Sequence, residues 1–159
     1  MQTLVKMVRF YAIDCEMIEN DLGKSMVARV SLVDEALETV LDEYIKPTRN
    51  VADYRTSISG IKRGYETEAK PKDGVLRRVI NMVNGQFVVG FNVKEDLEAL
   101  GILHSKIWDM ADSKHLDCCQ KYALKILAYK ELGLSIEDVP HDTVKDAKAV
   151  MDIYMKYVK

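Results

Sequence analysis

Two carboxylates stand two residues apart in YAIDCEMIEN, residues 11–20, and no Lys or Arg lies among those ten. Alternate residues of a strand point to one face. Asp14 and Glu16 therefore project together beside Phe10 and Ala12, opposite Ile13, Cys15 and Met17. Burying an ionised carboxylate is costly unless it is paired or binds a metal, and two at this spacing repel, so that one would protonate. Taken alone, the pair has two readings: a strand that has already reached solvent, with both acids wet, or an acidic site for a cation. Two further acids and a histidine bear on the choice. Asp96 falls about a turn beyond the apolar run Phe87–Val89, and Asp146 occupies the first turn of the last helix with His141 five residues before it. Each has an ordinary explanation. An acid in a first helical turn complements the macrodipole, Asp142 or Thr143 is a natural N-cap, and a histidine after Pro140 can be a plain loop residue.

The elements that would carry these residues follow from the patterning. VRFYAIDCEMI, MVARVSLVD and TVLDEYIKP read as three strands with short polar breaks, an antiparallel meander. The first is apolar on both faces as far as Asp14, as expected of a central strand. TRNVADYRTSISGIKRGYETEAKPKDG has few periodic signals and reads as a long polar loop, a kind that is often functional. Val75, Leu76, Val79, Ile80 and Val83 mark one face of a helix that Gly85 stops. QFVVGFN reads as a buried strand, KEDLEALG as a short helix ending at Gly101, and KIWDM as a fifth strand. Residues 116–132 and 144–158 read as helices. The second has an apolar stripe of Val144, Ala147, Met151, Tyr154 and Val158, and Asp146 shares a flank with Val150 and Ile153, so it can face inward. Strands first, then strand–helix alternation, predict an α/β domain with a mixed five-stranded sheet flanked by helices.

At 159 residues, 48% of them hydrophobic, the chain is most simply one domain, residues 1–159, with a substantial core. No apolar run approaches the roughly 20 residues of a membrane helix, so no membrane association is expected. MQTLVKMVRF lacks the apolar region and small-residue cleavage site of a signal peptide. An intracellular protein is expected, with no basic run to choose between nucleus and cytoplasm. The three cysteines agree: Cys118 and Cys119 are adjacent, Cys15 sits in an apolar strand, and no zinc-type spacing occurs, so reduced thiols are expected. A net charge of −2 and a pI near 5.9 argue against strong nonspecific nucleic-acid binding. Residues 46–78 nevertheless hold nine Lys or Arg against four Asp or Glu. That stretch is either an ordinary solvated surface or a phosphate-facing patch.

Taken together, the order Asp-x-Glu, Asp, His-x4-Asp resembles the DEDDh-type 3′–5′ exonucleases of the ribonuclease H-like fold, and within them the RNA exonuclease 4 and interferon-stimulated exonuclease group. The resemblance runs through AIDCEM (12–17), ARVSLV (28–33), YIKP (44–47), DYRTSISGI (53–61), VVGFNVKEDLEAL (88–100) and HDTVKDAKAVMDIY (141–154). Two positions depart from it. Such proteins usually read Gly-His where this chain has Gly90-Phe91, and often Asn or His where it has Glu95. Both departures touch the neighbourhood of Asp96, not Asp96 itself.

The resemblance implies a metal-dependent 3′–5′ exonuclease that degrades single-stranded RNA, with DNA a lesser substrate, to nucleoside 5′-monophosphates. Asp14, Glu16, Asp96 and Asp146 would hold two divalent cations, Mg²⁺ or Mn²⁺, which hard oxygen ligands select. In such sites the ions lie about 3.5–4 Å apart and stabilise both the attacking and the leaving oxygen. His141 would be the general base, since imidazole titrates near neutral pH. Met17 would pack against the last nucleotide, and Arg55 would approach its ribose or phosphate. The alternatives are a catalytically weak module of the same fold that binds RNA or protein as a scaffold, which Phe91 and Glu95 would favour, and another metal-dependent phosphotransferase or endonuclease.

Overall fold

The computed structural model describes residues 7–112, 124–136 and 140–157. Five strands fall where patterning places them: β1 (Phe10–Asn20), β2 (Ser25–Val33), β3 (Thr39–Tyr44), β5 (Phe87–Gly90) and β6 (Ile107–Asp109). A sixth, β4 (Val51–Asp53), forms inside the stretch expected to be a loop. It has three residues, too few for an alternating pattern, and exists because Glu19 and Asn20 at the far end of β1 offer it an edge. That stretch also contains the short helix α1 (Thr56–Ser59) and a 3₁₀ turn at Tyr65–Thr67. The remaining helices are α2 (Lys72–Val83), α3 (Val93–Leu100), α4 (Leu124–Leu132) and α5 (Thr143–Tyr157). Residues 116–123 of the expected fourth helix, with Cys118 and Cys119, lie outside the described residues. Cys15 is a free, buried thiol. Among the described residues, no helix is long and apolar enough to cross a membrane.

The sheet order is β3-β2-β1-β5-β6, with β4 also on β1. The first three strands run antiparallel, and β5 and β6 add in parallel. β1 is the central strand, and its two faces meet different partners. Tyr11, Ile13 and Cys15 face a core closed by Val75, Val79 and Val83 of α2 and by Val93, Leu97 and Leu100 of α3. Ile80, expected on that α2 face, is 44% exposed, so the buried stripe is narrower than the pattern suggested. On the opposite face, Ala12 packs with Val33 and Val89 against Ala147, Val150, Met151, Ile153 and Tyr154 of α5. Each fully buried Val, Ile or Met of that helix contributes about 1.5–3 kcal/mol, which fixes α5 firmly across the sheet.

Two details of β1 determine where chemistry can happen. Its pairing with β5 ends at Ala12↔Val89, and β5 itself stops at Gly90 and turns into α3. Beyond Ala12, β1 therefore continues past the carboxyl end of a parallel neighbour, the kind of place where open α/β sheets bind ligands. The β1–β2 register also slips between Glu16 and Met17, since their partners are Arg29 and Val27. The extra residue, Ala28, packs with Ile18 and Ile61 in a third apolar cluster. On the α5 face of β1, Asp14 and Glu16 thus lie between two apolar clusters.

The β5–α3 turn is built around an absent side chain. A Cβ on Gly90 would lie 2.4 Å from Val93 Cβ and 3.3 Å from the Ile13 carbonyl oxygen. Gly74, near the start of α2, has open space at the same point. Gly90→Ala should therefore cost about 1–3 kcal/mol through overpacking, whereas Gly74→Ala should stabilise by up to about 1 kcal/mol. Urea unfolding of the two variants checks the contrast, and equal midpoints would show that the turn yields freely.

Candidate active site

Asp14 and Glu16 come from the part of β1 that outruns β5. Glu16 is buried, and its Oε1 has no hydrogen-bond partner among the described residues. Asp96 sits in the first turn of α3, also buried. Its helix begins at Asn92, a non-glycine residue in the left-handed region with φ 54°. Asp109 at the end of β6 holds that turn: its Oδ1 accepts the Asn92 N–H at 2.9 Å and the Ala111 N–H at 3.1 Å. Asp146 lies in the first turn of α5 and His141 just ahead of it. The His141 backbone N–H donates to the Ile58 carbonyl of α1 at 2.7 Å, and Pro140 rests where a Cβ on Gly60 would be 3.4 Å away. The loop carrying the histidine is thus docked on α1.

Ligand atoms of Glu16, His141 and Asp146 all fall within 4.8 Å of one another. Asp14, Asp96, His141 and Asp146 line one cleft of about 360 Å³. Its apolar wall is made by Met17, Phe91, Leu124 and Ile136, with Lys125 also on the rim. Five of the residues singled out by sequence therefore converge, and Met17 borders the same space. Arg55 does not line this cleft. Its guanidinium donates to Glu19 Oε2 at 2.8 Å and to Ser25 Oγ at 3.0 Å.

Crowding shapes the electrostatics. Burial, then the neighbouring Asp96, Asp146 and Glu16 charges, push the Asp14 carboxyl well above the usual range. Burial and Asp146 raise Glu16 to about 8 despite the opposing pull of Arg29. Burial, Glu95 and Asp109 raise Asp96 to about 8. Burial raises Asp146 to about 6, with His141 pulling it down. A cluster of hard oxygen donors that resists ionisation, plus one buried carboxylate oxygen with nothing to bond, fits a divalent cation by its donor chemistry.

Several contributors carried no readable signal. Asp109 and Asn92 set the α3 turn through a backbone contact between segments 17 residues apart, and Ile58 acts through its carbonyl, which any residue has. Arg29 could have been noticed as the cross-strand partner of Glu16, but only once the register was known.

The exonuclease family RNase_T matches residues 11–154. The chain belongs to this exonuclease family. Its relatives include proteins named RNA exonuclease 4. The one from Aspergillus fumigatus is 38% identical over 157 residues, covering 93% of this chain and 50% of that protein. The one from Saccharomyces cerevisiae is 35% identical over 93% of this chain and 54% of its own length. The human protein is 33% identical over 96% and 38%. The chain spans about half the length of the curated relatives it matches. The fold is shared with the Saccharomyces cerevisiae Pan2 pseudoubiquitin hydrolase–RNA exonuclease module in complex with AAGGA RNA, at TM-score 0.84 and 24% identity over 99% of this chain and 30% of that one. The Neurospora crassa Pan2 catalytic unit gives 0.82 and 21%, over 98% and 28%. These likenesses bear out the ribonuclease H-like fold and the exonuclease resemblance.

A carboxyl group whose proton affinity is raised by folding stabilises the fold below its unfolded pKa and loses that contribution as pH rises through the folded value. For Glu16, Asp96 and Asp146 that window runs from the ordinary carboxylate range up to about 8. In EDTA, the melting temperature should therefore fall between about pH 5 and 8, and Mn²⁺ should restore it most at the upper end. Glu16→Gln should flatten the slope. A melting temperature in EDTA that is level across this range would contradict the crowded-carboxylate account.

Proposed function

We propose that this chain acts as one exonuclease domain, residues 1–159, which releases nucleoside 5′-monophosphates from the 3′ end of single-stranded RNA, with RNA favoured over DNA. The observation that carries this reading is the convergence of Glu16, Asp146 and His141 within 4.8 Å beside a cleft that Asp14 and Asp96 also line. Family membership and the relatives named RNA exonuclease 4 support the reaction and the choice of RNA.

Asp14, Glu16, Asp96 and Asp146 would hold two divalent cations, Mg²⁺ or Mn²⁺. When bound, they supply Lewis acidity toward the attacking and the leaving oxygen. The residues then divide the work. His141, exposed at the cleft, accepts the proton of the attacking water as general base. Asp146 keeps a carboxylate beside that imidazole. Met17 and Phe91 offer the terminal nucleotide apolar surface, and stacking on such surfaces is tolerant of base identity. Arg55 would contact substrate by exchanging Glu19 for a phosphate oxygen. Arg55 stands at the start of α1, and the His141 N–H donates to the Ile58 carbonyl of that same helix.

The test uses single-stranded RNA labelled at the 3′ or the 5′ end, with Mn²⁺ or Mg²⁺. Mononucleotide should appear at once from the 3′ label, while the 5′ label shortens in a ladder. Internal fragments appearing first would indicate an endonuclease, and bound but intact RNA would indicate a scaffold. Asp14→Ala and His141→Ala should each lower the rate by roughly 10²-fold or more, and a near-full rate in either would remove that residue from the mechanism.

A further inference from the structure

Outside the cleft, one polar network joins three elements. Arg29 stands opposite Glu16 in the β1–β2 ladder, at the last pair before the register slips. Its Nε and Nη2 donate to the two carboxylate oxygens of Asp42 on β3, at 2.8 and 2.9 Å. Its guanidinium lies 5.5 Å from the centre of the Tyr44 ring. Nη1 points at Asp142 Oδ1, 3.7 Å away. That same Oδ1 accepts the backbone N–H of Val144 at 3.0 Å and of Lys145 at 3.4 Å, so Asp142 caps the start of α5. Alongside, the Ser31 hydroxyl donates to Asp42 Oδ1 at 2.8 Å and shares a 2.5 Å hydrogen bond with Thr143 Oγ1. Because the Ser31 proton goes to Asp42, Thr143 is the donor in that bond. Ser31 and Thr143 are both fully buried.

None of these six side chains lines the cleft, yet Asp142 and Thr143 fall between His141 and Asp146 in sequence. We propose that Arg29 is a positioning residue: by tying Asp42 of β3 to the Asp142 cap, it fixes the first turn of α5 and so the distances of His141 and Asp146 from Glu16. The inference rests on the metal-site reading above, but it concerns geometry and not the reaction. A planar fork is needed for it, since two parallel bonds to Asp42 leave a third nitrogen aimed at Asp142, and a lysine has a single point of charge.

Charge and position predict opposite results, which makes the inference testable. Removing a cation next to Glu16 would, by Coulomb's law alone, tighten the binding of another cation. Loss of the clamp would weaken it. Mn²⁺ binding to the intact chain, followed by the electron paramagnetic resonance of the free ion, reads this without any turnover. Arg29→Gln and Arg29→Lys should each raise the dissociation constant about 10-fold, and Thr143→Val should produce a smaller rise in the same direction. In the RNA assay the loss should appear in kcat, with KM little changed. Circular dichroism establishes folding, and if Arg29→Gln does not fold, Arg29→Lys and Thr143→Val carry the comparison. Unchanged or tighter Mn²⁺ binding in the folded variants overturns the clamp, as does a wild-type chain that binds no Mn²⁺. A wild-type chain that binds Mn²⁺ but leaves RNA intact would instead overturn the exonuclease reading and leave the clamp standing on its binding data.

Discussion

Repulsion among carboxylates crowded into a half-buried site is the constraint on which this structure turns. Burial is the first cause of the raised proton affinity of Asp14, Glu16, Asp96 and Asp146, and for Asp14 the other three acids add to it. Left to itself such a cluster would spread apart or draw water in. Here it cannot, because Ala12 on one side and Ile18 on the other belong to apolar clusters on the same face of β1. The hydrophobic effect holds the strand in place, and the acids must accept the low-dielectric setting that results.

Each acid then needs its own mechanical support. For Asp96 it is the β5–α3 turn, where Gly90 admits Val93 at a distance no Cβ would allow and Asp109 receives the Asn92 N–H. Asp146 depends on α5, pinned by its apolar face to the sheet and by Asp142 and Thr143 to β2 and β3. For His141 it is a backbone hydrogen bond to α1. Two segments far apart in sequence, α3 and the His141 loop with α5, are held against one strand by different kinds of contact. His141 has the lightest restraint and is the most exposed of the group, which suits the general-base role proposed for it.

The basic stretch 46–78 plays a more structural part than its composition implied. Four of its nine cations face acids outside the stretch: Arg49 pairs with Asp21, Arg55 with Glu19, and Lys70 and Arg78 with Glu43. Exposed pairs of this sort contribute little to stability, commonly below about 1 kcal/mol. They do orient the stretch along β1 and β3, and α1 within it meets the histidine loop.

The residues of the candidate site were legible from sequence because their types are rare where they stand. A D-x-E on an apolar strand and a His-x4-Asp at a helix start break the hydrophobic pattern, and such breaks are visible without coordinates. The five main strands and the apolar stripe of α5 were legible for the complementary reason, that burial on one face imposes a period. Hidden from that view were β4, too short to show alternation, and the supports of the site: Asp109, Ile58, and the Arg29–Asp42–Asp142 clamp. Those depend on register. A slip at Ala28 decides which residue faces Glu16, and a polar side chain that serves a distant backbone looks in sequence like any other surface residue. The amino-acid sequence by itself determined which acids and which histidine would come together at the cleft, through composition against pattern. Only the tertiary structure decided how they are held, because long-range hydrogen bonds and the end of one strand beside another leave no local trace in the chain.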